Sequence, residues 1–139
     1  MSSNLILRVV VKMFIPFLLL FGLYVQLHGD FGPGGGFQAG VVIAAAYILF
    51  SLIFGVEHAK ELVRPSWLEI AVPSGVIIFA GVGVVTLLMG GNFLDYDVLN
   101  SHDPSHGQHL GILVVEFGVL VTVSSTMLLI FYTFAGRGR

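Results

Sequence analysis

The sequence predicts an all-α, polytopic membrane protein with four transmembrane helices and both termini on the cytoplasmic side. Three observations carry that prediction. Hydrophobic residues make up 56% of the 139-residue chain and charged residues only 10%, against roughly a quarter charged in a typical globular domain. The mean hydropathy is +0.97, more apolar surface than so short a chain can hide in a water-soluble core. The apolar residues also gather into four stretches of the length that crosses a bilayer, about 20 residues each, without the alternation of half-buried strands. A net charge of −2 offers no basic footprint for nucleic acid. With no cysteine in the chain, disulfide frameworks and thiol nucleophiles are excluded.

The four spans are expected at about 9–27, 37–56, 67–89 and 110–134, forming one membrane domain over 1–139. Arg8 and Lys12 ahead of the first apolar run imitate a signal peptide. No small-residue cleavage site follows, because His28-Gly29-Asp30 interrupts first, and a retained anchor is the expectation. The second span carries no charge, the third has Glu69 at its edge, and the fourth holds Glu116 inside. The connections differ: a Gly/Pro-rich turn over 28–36, a short charged loop over 57–66, and an acidic, His-bearing loop over 90–108.

Orientation follows from the basic residues. Arg8 and Lys12 precede span one, Lys60 and Arg64 separate spans two and three, and Arg137 and Arg139 follow span four. With four spans, these three positions share one side of the membrane and hold all 6 basic residues. The opposite side receives Asp30, Asp95, Asp97 and Asp103. Lipid gives helices no hydrophobic drive to associate, so small residues that permit close approach are expected at their contacts. Gly36, Gly40, Ala44, Ser51 and Gly55 form such a stripe on span two, and Gly111, Gly118, Thr122 and Ser125 form one on span four.

Glu116 lies almost opposite the span-four stripe, roughly 10 Å below the start of the apolar helix at 1.5 Å per residue. His109 points to nearly the same side. A carboxylate at that depth must be paired, hydrated or protonated, and burial favours the neutral form of a carboxyl, which suits a proton relay near neutral pH. The alternative is a structural hydrogen bond to a neighbouring helix. No lysine or arginine lies deep in any span, so counter-charges for Glu116 are expected from a partner chain. Glu69, two residues past Trp67, reads as an interfacial acid. His102, Asp103, His106 and His109 tempt a metal assignment, but Pro104 and Gly107 break the run. Asp103-Pro104 reads instead as a helix cap followed by proline at the first helical position, and neither metal nor cofactor is expected.

The most distinctive segment is the turn His28-Gly29-Asp30-Phe31-Gly32-Pro33-Gly34-Gly35-Gly36-Phe37-Gln38. Its glycines permit reversal within a few residues and present N–H groups at a helix start, a possible anion nest. No Gly-Lys-Ser/Thr follows, so a nucleotide loop is not expected.

The run over 27–46, LHGDFGPGGGFQAGVVIAAA, resembles the signature of the MnhB family, small membrane subunits of Mrp-type (Mnh-type) multi-subunit sodium/proton antiporters. A second match runs from His109 to Val119 and is similar to the family's last-helix Gly-Ile…Glu…Gly-Val motif, with Glu116 at its acid. Asp30 and Phe31 fall where the family varies. The resemblance implies a four-helix accessory subunit in the cell membrane of a bacterium or archaeon. Its complex would exchange cytoplasmic Na+ for external H+ in pH homeostasis and sodium tolerance, alongside large subunits related to those of respiratory complex I. It implies that His28, Pro33 and Phe37, with Gly34, Gly35, Gly36 and Gln38, shape an ion passage or a joint between subunits, and that Glu116 handles protons or cations. His109, His28, Asp30 and Glu69 complete the pathway candidates.

Three alternatives stay open: the equivalent component of an energy-converting membrane-bound hydrogenase, a purely structural scaffold, and a homodimeric four-helix drug/proton exporter. The exporter's key glutamate belongs in span one, which has no acid here. No nucleophile–base constellation suggests an enzyme.

Overall fold

The structure, a computed structural model, describes residues 5–29, 35–100 and 102–136. Every regular element among them is helical: α1 (Leu5–His28), α2 (Gly36–Phe54), α3 (Val56–Leu62), α4 (Pro65–Leu88), a 3-10 turn (Tyr96–Leu99) and α5 (Pro104–Ala135). Four of these, α1, α2, α4 and α5, are long and apolar enough to cross a membrane. Their outer faces keep large apolar side chains exposed, among them Phe17, Ile77 and Phe134. Helices whose backbone groups bond within themselves tolerate that exposure in lipid, where it would be untenable in water.

Helix α5 is the hub. It packs on α2 along one side and α4 along another, while α1 joins the bundle through α2 and only touches α5. Small residues set both approaches. Gly75 of α4 and Gly118 of α5 lie so close that a side chain on either would strike the other's backbone. Thr122 seals that seam by donating its hydroxyl to the Val72 carbonyl at 3.3 Å and to its own helix at Gly118. On the α2 side, Gly36 abuts the Glu116 carbonyl, and a Cβ on Gly40 would come within 3.0 Å of the Leu120 carbonyl. Gly22 makes the matching close approach between α1 and Ile43 of α2.

The α2 stripe is buried at Gly36, Gly40, Ala44 and Ser51 but ends there. Gly55, expected to continue it, is exposed with nothing within 4 Å of a built Cβ. Its φ of 106° explains the residue differently: it breaks the chain between α2 and α3 in a conformation that favours glycine. The charged loop expected over 57–66 likewise contains a short helix. Ala59 of α3 is fully buried, while Glu57, His58 and Glu61 face outward and Lys60 reaches Glu57 at 3.5 Å. Two turns are too short for periodicity to announce a helix; packing creates this one.

At that end, Ala44, Ala59, Leu68, Leu128 and Tyr132 form the buried cluster. The Tyr47 hydroxyl donates to the Ala59 carbonyl at 2.8 Å, and the Tyr132 hydroxyl donates to the Val63 carbonyl at 3.4 Å. Both phenols tie α3 and its exit to the long helices. At the opposite end, the connection after α4 folds back. Phe93 covers Gly83, the Thr86 hydroxyl accepts from the Leu94 N–H at 3.0 Å, and the Tyr96 ring lies on Gly111.

Candidate functional site

Helix α5 begins well before its apolar stretch. Asp103 caps it, accepting from the His106 N–H at 3.3 Å with Pro104 in the first turn, as the local sequence predicts. The Asp103 carboxylate is thereby engaged in a cap, and among the described residues no three His, Asp or Glu side chains converge as a metal site. His102, His106 and His109 are exposed.

Glu116 lies three turns into α5, half-buried. Its carboxylate rests directly on the two glycines that flank the reversal between α1 and α2. A Cβ built on Gly29 would come within 2.6 Å of Oε2 and closer still to Oε1, and one on Gly35 within 2.5 Å of Oε1. Any side chain at either glycine would therefore displace the carboxylate. Gly35 adopts φ 107° and hands its N–H to the Val25 carbonyl at 3.2 Å, tying the turn to the end of α1. The next residue, Gly36, opens α2 and presses on the Glu116 backbone. The acid thus sits beside the N-terminus of α2, where the first N–H groups and the helix dipole favour negative charge.

Glu116 faces away from the Gly118–Thr122 seam with α4, as periodicity predicts. Within this chain, the neighbours on its own face include the glycines of the reversal. The turn and the acid are separated by some eighty residues, so their contact leaves no local trace.

The remaining candidates divide. His28 ends α1 next to Gly29, exposed, with its ring stacked 5.4 Å from that of Tyr24. His109 is two turns before Glu116 on α5 and exposed. Phe37 and Gln38 project outward from the first turn of α2, available to whatever surrounds the bundle. Asp30, Pro33 and Gly34 lie outside the described residues. Glu69 is not part of this group: it is exposed beside Leu68, which packs with Leu128 at the other end of the bundle, roughly 18 Å from Glu116 along α5 at 1.5 Å per residue.

Sequence reasoning passed over Gln26, counting it within an apolar span. Its residue is 8% exposed, and neither end of its carboxamide has a hydrogen-bond partner among the described residues. The available signal was its spacing from Gly22 and Gly29, which places all three on one helix face.

Among known proteins, a family model described as a domain related to the MnhB subunit of Na+/H+ antiporter matches residues 6–129. A protein of Staphylococcus haemolyticus strain JCSC1435, named for antiporter subunit mnhB2, is 33% identical over 131 residues, covering 88% of this chain and 92% of that protein. Proteins of the same name in Staphylococcus aureus strains Newman and JH1 show 33% identity over 131 residues and equal coverage.

Proposed function

The chain belongs to the MnhB family, and we propose that it serves as an accessory subunit of a multi-subunit monovalent cation (Na+)/proton antiporter in a prokaryotic cell membrane. Its partners are the other subunits of that complex, including large complex I-like antiporter subunits, together with the lipid bilayer. It is a component of a secondary transporter rather than an enzyme, and works in pH homeostasis and sodium tolerance. Arg8, Lys12, Lys60 and Arg64 mark the cytoplasmic side, so the turn and Glu116 lie towards the outer face.

The single observation that supports a direct part in ion handling is the seat of Glu116. An ionisable carboxyl inside an apolar bundle is costly to keep, yet two glycines clear a space for it and the start of α2 offers it N–H dipoles. Dipoles of that kind favour the carboxylate without binding its proton site permanently, and so leave the group able to take up and release H+. The turn that makes the space carries the family's signature residues Gly35 and Gly36, with Phe37 and Gln38 facing outward where an adjoining chain docks.

The test replaces Glu116 by Gln, which keeps size and hydrogen bonding but cannot ionise. With assembly verified separately, Na+/H+ exchange in membrane vesicles is expected to fall at least about tenfold, as for loss of a positioned acid–base group. Exchange at the wild-type rate with normal assembly rejects a proton-handling role and leaves the scaffold reading.

A further inference from the structure

Gln26 has no place in the reading so far, and its surroundings point to one. It stands on the face of α1 that also carries Gly22 and Gly29. Gly22 meets Ile43 and the Ala39 carbonyl of α2, and Gly29 meets the Glu116 carboxylate. Gln26 is therefore buried on the face of α1 that meets α2, and it precedes Gly29, on which the carboxylate rests, by one helical turn, about 4.5 Å along the axis of α1. Both its Nε2 and its Oε1 are shielded from solvent without a protein partner among the described residues. A buried amide left unmatched opposes folding, and a specific case in a native structure calls for a bound group or a second state to explain it.

We propose that Gln26 is a positioning residue for proton exchange at Glu116, presenting its carboxamide, directly or through one water, to either protonation state of the acid. This rests on the reading of Glu116 as the exchanging group. The chemistry matches a glutamine in particular. A protonated carboxyl needs an acceptor, which Oε1 supplies, whereas a carboxylate needs a donor, which the Nε2 amide supplies. Rotation of the side chain interchanges the two ends. When Glu116 ionises, its proton passes to water at the turn, and Gln26 neither gains nor loses one. Among the described residues, the other titratable groups near this face are His28 on α1 and His109 on α5; α2 brings none over residues 36–43.

The experiment uses the whole complex in membrane vesicles and follows Na+/H+ exchange against pH, with assembly measured in parallel. Gln26→Met removes both polar ends while keeping an unbranched side chain of similar shape. It is expected to assemble at the wild-type level and to move the pH of half-maximal exchange by at least about half a unit to the alkaline side, because the charge-assisted bond lost from the carboxylate outweighs the neutral bond lost from the carboxyl. Gln26→Glu places a second carboxyl that must share a proton with Glu116, and is expected to shift the profile further and split it into two steps. If Glu116→Gln abolishes exchange while both Gln26 variants keep the wild-type profile, the proposal is overturned and the reading of Glu116 stands. If Gln26→Met fails to assemble, the residue is structural and the proposal is again overturned. Wild-type exchange in Glu116→Gln removes the parent reading and this proposal with it.

Discussion

The phenols near Tyr132 and the buried amide near the reversal between α1 and α2 are treated in opposite ways. Around Tyr132, each phenol has its partner: Tyr47 bonds Ala59 and Tyr132 bonds Val63, inside a cluster closed by Leu68 and Leu128. Around Glu116, Gly29 and Gly35 set a carboxylate against backbone, and the Gln26 amide, one turn before Gly29 on α1, lacks a protein partner among the described residues. Satisfied polar groups fix a structure, whereas unsatisfied ones raise its energy and are retained where they act. On the proposed function, the first end is a fastening and the second is the working end.

That contrast is open to breakage. Loss of exchange in Glu116→Gln is the largest effect expected, and it should have no counterpart among substitutions near Tyr132. Next comes Gly36→Ala. A Cβ there meets the Glu116 main chain, with its carbonyl carbon only 2.8 Å away, and backbone cannot step aside as a side chain can. We expect a cost of about 3 kcal/mol, at the upper end of overpacking effects, read as loss of the chain from the assembled complex and a lower midpoint in thermal unfolding of the detergent-solubilised complex. Gly81→Ala is the control, since nothing lies within 4 Å of its Cβ, and the helix should gain up to about 1 kcal/mol. Equal effects of the two would deny that the turn is sterically filled.

A smaller change is expected from Tyr47→Phe, which removes the 2.8 Å bond to Ala59 and should cost about 1 kcal/mol. Its exchange profile against pH should match wild type. A shifted profile would mean that the fastening end also senses protons. The smallest effect concerns Tyr96, outside the spans, whose hydroxyl is pushed above its ordinary value of 10.0 by burial. The folded state then binds the phenolic proton more tightly than the unfolded one. Its contribution is fully present below about pH 10 and is lost as pH rises through the raised value. Tyrosinate absorbance should titrate later in the native protein than in denatured chain, and Tyr96→Phe should remove that late component.

Much of the fold was legible because it rests on local properties. Hydropathy over about twenty residues located α1, α2, α4 and α5, and Asp103-Pro104 announced the start of α5 since a cap and its first turn are neighbours in sequence. Periodicity also separated the face bearing Glu116 from the one bearing Gly118. Other features were hidden. Gly55 reads as part of a packing stripe until its positive φ is known, and α3 is held by the burial of Ala59 in the Tyr132 cluster and by the Tyr47 bond to its carbonyl. The site was half visible: its acid and its turn stood out separately, while Gln26 passed as one polar residue in an apolar run.

By itself the sequence determined the solvent of this protein, the number of its spans, the family signature and the depth of the acid in its last span, because each follows from composition or from residues near one another in the chain. Only the tertiary structure decided that the acid meets the glycines on either side of the signature turn. Residues 29, 35 and 116 meet through the packing of α1 and α2 on α5, and close approach of helices in lipid depends on which small residues oppose one another across the seam, a relation that no single helix carries.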